Sequence, residues 1–463
     1  MMSRKVKDLY QRASSKRAGA AIQNRNMRMV VVGSGYVGLP TAVLFADAGF
    51  QVTALDIKPE IVKAINEGIV KTHEPGLDEL VLGNVRAGRL KAISEINADL
   101  GSTNAFVICV QTPTDKHKRP DLSFLDRALQ MIGTNVKKET IVVLGSTVPP
   151  QTMLRLVKPK LELLSGLKAG SDFYLAYSPE RIAPGKALEE FVRGPRLIGG
   201  IEPKSAKIVA KLFRAVCKRV LETDATTAEV AKLVENTFRD VNIAFANQLA
   251  LICEQMGVDV LEAIRLANTH PRVNVHMPGP GVGGPCLPKD PYLLLSSVEY
   301  VGYDLVKIAR QINDFMPKHV VKLVLQALID ASKDVGTSKI AILGTAYKAN
   351  IDDARLSPAA YIIDQLKRLR AEVVVYDPYC IESFGAKRGS SLIEVTKGAD
   401  CLVVITDHTE FKSLNLQEIK RLMKSKPAII DGRRIVDCQT AENLGFSYYG
   451  IGLTRTSCTS ASY

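Results

Sequence analysis

The chain has 463 residues, which is too long for one hydrophobic core and predicts two or three domains. Its hydrophobic content of 46% and charged content of 24% are typical of a soluble globular protein, and no apolar run is long enough to span a membrane. The 8 cysteines are scattered without a C-x-x-C pair, which argues against a zinc site or a dense disulfide framework and favours a reducing, cytoplasmic compartment. Spacing alone leaves individual cysteine pairings open.

The first 28 residues carry over half of the net charge of +13, because eight basic residues face only Asp8 and give this segment +7. The segment lacks the apolar core of a secretory signal. The simplest interpretation of residues 1–27 is a solvated basic extension. Contact with nucleic acid or an anionic membrane is the alternative, but no aromatic or glycine-rich pattern supports it, so we expect neither partner.

Short apolar runs alternate with amphipathic stretches after the extension, which is typical of strands buried on both faces of a parallel sheet. A different pattern occupies the centre, and the alternation then returns. The sequence predicts an α/β protein with a helical centre. The predicted strands are residues 29–32, 51–56, 105–110 and 140–144 before the centre, and 340–344, 372–377, 401–405 and 427–431 after it.

One long helix is predicted for residues 226–256, where apolar residues recur at helical spacing without glycine or proline. Helices of this length usually connect domains or form a subunit interface. Thr226 and Glu229 match a capping box, so we expect Glu229 to return to the N-cap backbone rather than to act in catalysis. Lys232 and Asn236 are four residues apart and share one helix face.

A dinucleotide site is predicted where the first strand ends. Gly33, Gly35 and Gly38 form a G-x-G-x-x-G turn that includes Tyr36 and Val37 and leads into a helix. Asp56 ends the second strand, where an acid binds a ribose hydroxyl and repels a 2′-phosphate; the turn and the acid together favour NAD over NADP. The nearby Lys58 softens that preference slightly. A glycine-rich turn in an unrelated α/β protein is the alternative.

Cys286 follows a run rich in glycine and proline, PGPGVGGP, and precedes Lys289 and Asp290. A nearby cation lowers a thiol pKa and a carboxylate can transfer protons, so this cysteine is a candidate nucleophile. Most cysteines are simply small buried hydrophobes.

The histidines, including His73 and His270, are too dispersed for a metal site, and we expect no metal. His408, on a loop after a strand, is expected to be structural.

Several further motifs resemble those of the nucleotide-sugar 6-dehydrogenases, which act on UDP-glucose, GDP-mannose or UDP-N-acetylhexosamines. The resemblance extends from Met29 to about Gly452, and the motifs fall in the family's order. Besides the G-x-G-x-x-G turn and the Cys286 loop they are QTPT at 111–114, GSTVPP at 145–150, YSPER at 177–181, EVAKLVEN at 229–236 and DARLSP at 353–358.

The resemblance implies two Rossmann-like domains with parallel sheets, joined by the long central helix. We expect an NAD-binding domain at 28–222, a helical dimerisation region with catalytic residues at 223–330 and a UDP-sugar-binding domain at 331–463. The implied partners are a UDP-sugar and a second copy of the chain. The implied reaction oxidises C6 of the sugar to a carboxylate with two NAD⁺, through a thiohemiacetal and a thioester on Cys286.

The family's site residues can be carried over only where this sequence matches its motifs. Lys232 and Asn236 would stabilise the oxygen at C6. Asp290 and Glu180 are candidates for handling water and protons, although either carboxylate could instead be structural. Thr147, after a predicted strand, would contact the reacting oxygen or the nicotinamide. The remaining implied contacts are Thr112, Lys289 and Arg355 with NAD, and Arg181, His270, Arg272, Gly283 and Lys348 with the substrate, Arg272 from across the dimer.

Two local features favour UDP-N-acetyl-D-mannosamine as the substrate. One is Pro184, where UDP-glucose enzymes usually carry a second glutamate; the other is His270-Pro271-Arg272 before the glycine-rich loop. Pro285 departs from that branch, where many members have histidine, so UDP-N-acetylglucosamine and UDP-glucose stay open. A two-electron dehydrogenase of the β-hydroxyacid type, which needs no thiol, and a non-catalytic nucleotide-sugar sensor are the more distant alternatives.

Overall fold

The computed structural model of the protein describes residues 27–70, 74–95, 103–299 and 303–453. The basic extension up to residue 26, His73 and Cys458 lie outside the described residues. The chain forms two compact units. The first comprises residues 1–235 and 292–299, and the second comprises residues 236–291 and 300–463.

The first unit is built on an eight-stranded sheet with the order β3-β2-β1-β4-β5-β6-β7-β8. All neighbouring strands are parallel except β6 and β7, which pair antiparallel. The strands are β1 Arg28–Val32, β2 Gln51–Leu55, β3 Leu90–Ile93, β4 Ala105–Ile108, β5 Ile141–Leu144, β6 Tyr174–Tyr177, β7 Pro195–Gly200 and β8 Arg219–Asp224.

Helices cover both faces of this sheet, which explains the continuous apolar runs. Met29 and Val31 of β1 belong to one buried cluster, and Val30 and Val32 belong to another, because successive strand residues point to opposite faces. The helices are α1 Gly38–Asp47, α2 Pro59–Asn66, α3 Leu77–Arg86, α4 Ser123–Gly133, α5 Lys158–Ser165, α6 Ala187–Arg193 and α7 Pro203–Phe213, with a π-helical segment at Met153–Val157.

The central helix α8, Ala225–Met256, begins in the first unit and continues in the second, and its 32 residues confirm the predicted long helix. A second long helix, α11 Leu305–Asp330, has Pro317 inside it and was not predicted. The helices α9 Val260–Ala267 and α10 Asp290–Leu295 lie between them in the chain.

The second unit contains a parallel six-stranded sheet with the order β11-β10-β9-β12-β13-β14. Its strands are β9 Lys339–Leu343, β10 Glu372–Tyr376, β11 Lys387–Arg388, β12 Cys401–Val404, β13 Ala428–Asp431 and β14 Ser447–Gly450. Its further helices are α12 Pro358–Arg368, α13 Leu392–Thr396, α14 Leu416–Leu422 and α15 Cys438–Asn443, with 3₁₀ segments at Val335–Thr337 and Thr409–Ser413.

The predicted α/β class and all eight predicted strands are confirmed, with ends that differ by one or two residues. Six strands were not predicted, namely β3, β6, β7, β8, β11 and β14. Within the described residues, none of the helices combines the length and the hydropathy that crossing a bilayer requires.

Candidate active site

The turn after β1 has the geometry that a dinucleotide needs. Gly33 has a φ of +90°, and α1 begins at Gly38. A Cβ on Gly38 would lie 1.8 Å from the carbonyl oxygen of Gly33, so only glycine allows the helix to start this close to the strand. Gly35 is exposed and its Cβ would meet no atom within 4 Å, so the outer side of the turn is open. Tyr36 and Val37 are half-buried between them.

Asp56 lies beside this turn, as the sequence predicts. Its Oδ2 accepts a hydrogen bond from the Ser34 N–H at 2.8 Å, and its Oδ1 accepts one from the Lys58 N–H at 3.0 Å. The carboxylate is half-buried and keeps lone pairs for a ribose hydroxyl. The open turn, the N-terminus of α1 and this acceptor fit the pyrophosphate and ribose of NAD.

Two threonines meet at the carboxyl edge of the same sheet. Thr112 follows β4 and Thr147 follows the neighbouring strand β5, and the Thr112 hydroxyl donates to the Thr147 carbonyl oxygen at 2.5 Å. The hydroxyl of Thr147 hydrogen-bonds to none of the described residues. It is therefore available at the edge where ligands bind in this type of fold.

Glu180 is a half-buried carboxylate with hydrogen bonds to both oxygens. Its Oε2 accepts from both terminal nitrogens of Arg196 at 3.0 Å, and its Oε1 accepts from the N–H groups of Arg181 and Ile182. This geometry suits a residue that orients a water better than one that takes up a proton. A cavity of about 630 Å³ opens beside the ion pair. Its lining includes Glu180, Arg181, Lys186, Glu189, Arg193, Arg196 and Glu235.

Arg181 is ion-paired in this arrangement, because its guanidinium contacts the Glu235 carboxylate at 2.6 Å and also donates to the Pro195 carbonyl.

Lys232, one turn before Asn236 on α8, is only 7% exposed. Its ammonium makes no hydrogen bond or ion pair with any residue of the described ranges. A buried cation without a protein partner is costly, and a developing oxyanion would supply that partner.

The capping-box prediction for Glu229 is wrong. Helix α8 begins at Ala225, and it is Asp224 whose carboxylate accepts from the Thr227 N–H at 2.9 Å. The buried Glu229 carboxylate instead accepts from the N–H groups of Gln151 at 2.6 Å and Met153 at 2.8 Å. Burial raises the pKa of Glu229 to about 7, although these two hydrogen bonds oppose the shift. Glu229 therefore ties α8 to the segment that follows Thr147.

In the second unit, Cys286 is exposed at a turn that leads directly into α10. The N–H groups of Lys289 and Asp290 both donate to the Cys286 carbonyl oxygen, at 3.0 and 2.9 Å. The Asp290 carboxylate is buried and accepts from the Asn236 amide at 2.6 Å and from the Lys289 ammonium at 2.6 Å. Thiol, carboxylate and cation thus lie in one short segment to which the amide is bonded, and Asp290 does not cap its own helix through its side chain.

The glycines of this segment pack closely against the residues around β9 and α12. A Cβ on Gly283 would lie 2.7 Å from the Leu356 carbonyl oxygen and 2.8 Å from the Tyr347 Cβ, so only glycine fits. The Gly284 N–H donates to the Arg355 carbonyl oxygen at 2.9 Å, and the Arg355 side chain pairs with Asp353. The thiol loop and the DARLSP motif are therefore neighbours in the structure.

Two further cations belong to this neighbourhood in the second unit. Lys348 is exposed on the turn after β9, and its ammonium pairs with none of the described residues. Arg433, which follows β13, was not predicted. It donates from Nε to the Ile405 carbonyl, and a Cβ on Gly279 would lie 3.0 Å from its Nη1. The only sequence signal for Arg433 was a cation after a strand, at the edge where parallel sheets bind ligands.

His270 and Arg272 lie on an exposed segment after α9. The Arg272 N–H donates to Nδ1 of His270 at 3.3 Å. Neither side chain is brought to the Cys286 loop by a hydrogen bond or ion pair within the described part of the chain, and their contact with substrate stays a prediction.

His408 is buried and bonded to Asp377 at 3.0 Å, as expected of a structural histidine. No cluster of metal-binding side chains occurs in the described ranges.

The first unit has an open dinucleotide turn, and the second unit has another Rossmann-like sheet and an exposed thiol flanked by acid, amide and cation. Such a combination is typical of nucleotide-dependent dehydrogenases. Three domain models of the UDP-glucose/GDP-mannose dehydrogenase family match the chain: the NAD binding domain at residues 27–217, the central domain at 226–315 and the UDP binding domain at 341–438. The chain belongs to this family, and it is an NAD-dependent nucleotide-sugar dehydrogenase.

Its relatives include a UDP-N-acetyl-D-mannosamine dehydrogenase of Pyrococcus horikoshii, 46% identical over 92% of this chain and 99% of the relative. A solved structure of UDP-D-ManNAc dehydrogenase from that organism superimposes with a TM-score of 0.88 at 45% identity, covering 93% of this chain and all of that one. The UDP-N-acetyl-mannosamine dehydrogenase of Staphylococcus aureus gives 0.81 at 37% identity, over 92% and 98% of the two chains.

Proposed function

We propose that the enzyme oxidises C6 of UDP-N-acetyl-D-mannosamine to the uronate in two successive steps. The exposed Cys286 thiol beside Asp290 carries this proposal, because an aldehyde can lose a second hydride only after it has gained an oxygen or sulfur nucleophile. The substrate assignment rests on the named activity of the relatives from P. horikoshii and S. aureus. UDP-N-acetylglucosamine and UDP-glucose are the alternative substrates.

NAD⁺ held by the first unit would supply the hydride acceptor, with one molecule for each of the two oxidations. The C6 alcohol first loses a hydride and a proton and becomes the aldehyde. The Cys286 sulfur then adds to the carbonyl carbon, and the oxygen takes up a proton to give a thiohemiacetal. Loss of the second hydride and that proton gives a thioester. Water breaks the C–S bond, which releases the acid and restores the thiol.

We assign the remaining steps to side chains that the family motifs supply. The Lys232 ammonium, buried without a partner among the described residues, stabilises the oxygen at C6. An amide nitrogen carries two hydrogens, so Asn236 can donate to that oxygen while it holds Asp290. Asp290 moves the proton of the attacking water. Glu180 orients the water, and Thr147 donates its hydroxyl to the reacting oxygen or the nicotinamide.

The two nucleotides are assigned to different units. We place NAD on the open turn of the first unit with Asp56 and Thr112. The contacts of Lys289 and Arg355, which belong to the second unit, with the pyrophosphate of NAD stay predictions from the sequence motifs. The UDP of the substrate is placed on the second unit with Lys348 and Arg433. Lys289 is ion-paired with Asp290 here, so its role toward NAD requires it to exchange that partner.

We also propose a homodimer that functions in the cytoplasm, the compartment that the scattered cysteines favour. In the second unit, helix α8 exposes a row of large apolar side chains that water would otherwise cover at a cost. They are Phe238 at 59%, Phe245 at 51%, Ile252 at 42% and Met256 at 69% exposure. Sedimentation analysis of Phe245→Glu tests this, and an unchanged assembly in that variant would refute an interface on this face.

The function is tested by turnover of pure UDP-N-acetylmannosamine, UDP-N-acetylglucosamine and UDP-glucose, with NADH counted per sugar and the product identified by mass spectrometry. We expect two NADH per UDP-N-acetylmannosamine and the highest kcat/KM for it. Equal or better activity on UDP-glucose would refute the substrate assignment. The absence of NADH with every sugar would favour a sensor.

Cys286→Ser tests the covalent route. It should abolish acid formation and leave at most one NADH per sugar, because serine is a far weaker nucleophile. Cys253→Ser, which alters a mostly buried cysteine of α8, is the matched control and should retain two. Full two-NADH turnover by Cys286→Ser would support the thiol-free two-electron rival.

A further inference from the structure

Helix α8 holds the cysteine-bearing loop, residues 279–290, at both of its ends. At the far end the Asn236 amide donates to Asp290 at 2.6 Å. At the near end the Gly279 N–H donates to Oδ1 of Asn247 at 2.9 Å. Asn236 and Asn247 lie about three turns apart on α8 and therefore on one face. Nothing in the sequence patterns distinguishes Asn247 from a surface polar residue.

The orientation of the Asn247 amide is fixed by a directed chain of hydrogen bonds in the second unit. The buried Asp240 carboxylate pairs with Arg310 and also accepts from Nδ2 of Asn313 at 2.9 Å. Asn313 therefore presents its Oδ1 to Nδ2 of Asn247, at 2.9 Å. The remaining Asn247 oxygen faces the loop, where a backbone N–H can only donate. Each donor in this chain therefore meets an acceptor, from the Asp240–Arg310 ion pair to the Gly279 N–H.

The segment before the loop is held by the same helix. The half-buried Asn242 accepts from the His276 N–H at 2.8 Å and donates to the Asn274 carbonyl oxygen at 2.8 Å. The loop itself is rich in glycine and proline and has few side chains with which to fix its own position. Its backbone hydrogen bonds therefore determine where it starts.

We propose that Asn247 is a positioning residue for the Cys286 thiol, an assignment that rests on the proposed function. Asn247 acts through Gly279 and contacts no reacting atom. Only the second oxidation needs the thiol, so loss of this contact should impair aldehyde capture more than alcohol oxidation. A displacement of about 1 Å at a reacting atom can cost roughly 100-fold in rate.

The test compares Asn247→Ala with wild-type enzyme, using UDP-N-acetylmannosamine and NAD⁺. We expect acid formation to fall at least about tenfold, NADH per sugar to fall from two toward one, and the aldehyde to be trapped by a hydroxylamine reagent. The alkylation rate of Cys286 by iodoacetamide, followed by mass spectrometry, should also change. Asn247→Asp keeps an oxygen for the Gly279 N–H but loses the amide that donates to Asn313, so it should restore the two-NADH stoichiometry in part.

Asn84→Ala is the matched control, because Asn84 is also a buried asparagine with several side-chain hydrogen bonds, in the first unit. It should lower thermal stability and keep two NADH per sugar. Aldehyde release by Asn84→Ala, or unchanged stoichiometry and alkylation in Asn247→Ala, would overturn the inference. If Asn247→Ala does not fold, a one-NADH stoichiometry in folded Asn247→Asp would overturn it instead. Failure of the wild-type enzyme to give two NADH would refute the proposed function separately.

Discussion

The first strands of the two Rossmann-like units end in the same way, but the aspartates that follow the neighbouring strands have different surroundings. In each, the first strand ends at a glycine with a φ of +90°, Gly33 after β1 and Gly344 after β9. In each, the parallel neighbour strand is followed directly by an aspartate, Asp56 after β2 and Asp377 after β10. The two openings differ in the element that comes after the glycine and in the groups that surround the acid.

The Asp377 carboxylate is buried and hydrogen-bonded to residues of its own unit. It is 1% exposed, and it accepts hydrogen bonds from His408 and from the N–H groups of Thr345, Ala346, Tyr379 and Cys380. Asp56 is half-buried and accepts from two backbone groups. An acid at the end of the second strand can therefore accept from a ribose only where the fold leaves its oxygens accessible.

The turns differ in a related way. In the first unit, helix α1 begins at Gly38, so its N-terminus faces the open turn. In the second unit, the first helix after Gly344 is α12, which begins at Pro358, and the intervening residues pack against the Cys286 loop. Among the described residues, no helix therefore begins directly after the Gly344 turn.

Substitution of the two equivalent aspartates should give opposite results. Asp377→Ala leaves these donors without their acceptor and should cost roughly 3–5 kcal/mol of unfolding free energy. Asp56→Ala should barely change stability but should weaken NAD⁺ binding about tenfold, because a ribose acceptor is lost. Thermal unfolding and calorimetric NAD⁺ titration measure the two effects. Comparable stability losses in both variants would show that the two acids are not used differently.

The sequence predicts one half of this comparison well. The G-x-G-x-x-G pattern, a strand before it and an acid at a fixed distance predict that Asp56 lies beside the turn, because all three signals are local. Asp377 also ends an apolar strand, and no local signal shows that His408 will bury it. That contact joins residues of β10 and of the loop after β12, and only the strand order of the sheet brings them together.

The lack of a local sequence signal also explains the other differences between the predicted and the observed structure. Strand β8 was not predicted because most of its side chains are exposed and polar, so it lacks an apolar run. Glu229 matches a capping box in sequence, yet its carboxylate finds two donors more than seventy residues earlier. By contrast, Cys286, Lys289 and Asp290 were predicted together because they are close in the chain. Long-range polar contacts such as that of Asn247 had no comparable signal.

The open turn of the first unit can be blocked without disturbing the fold. Gly35→Val places a side chain where no protein atom lies within 4 Å of the Cβ position, so stability should be nearly unchanged. NAD⁺ affinity should fall by about an order of magnitude or more, because a pyrophosphate can no longer approach the backbone. Gly38→Ala, whose Cβ would overlap Gly33, should instead unfold this unit. Wild-type NAD⁺ affinity in Gly35→Val would place the cofactor elsewhere.

Lys348→Ala tests whether the second unit holds the substrate's nucleotide. Loss of one exposed cation at a phosphate should raise the KM for the UDP-sugar up to about tenfold and leave the KM for NAD⁺ within about twofold. Lys412→Ala, another exposed lysine of the same unit, is the matched control. Steady-state kinetics with each substrate varied in turn measure the two KM values. A larger change in the KM for NAD⁺ than in the KM for the UDP-sugar would reverse the assignment.

The pH dependence of stability should differ in sign between the units. The pKa of Glu229 in the first unit is raised to about 7, above the ordinary value of 4.5, so the folded state binds its proton more tightly. Stability from this group is therefore lost as pH rises from about 5 to 7.5. Burial opposes ionisation of Asp377, but hydrogen bonds from His408 and backbone N–H groups outweigh it and hold its pKa below the ordinary range. Its stabilisation is present at neutral pH and is lost only in acid.

Hydrogen exchange resolved by peptide can follow the two units separately. Between pH 5 and 7.5 we expect the opening free energy of the Gln151–Met153 segment to fall by roughly 2 kcal/mol, after correction for the intrinsic exchange rate. Segments around Asp377 should not change over this range. Glu229→Gln keeps the side-chain size and cannot ionise, so the pH response of the first unit should disappear. A response that persists in Glu229→Gln would assign it to another group and leave Glu229 as a pH-independent tie between α8 and the Thr147 segment.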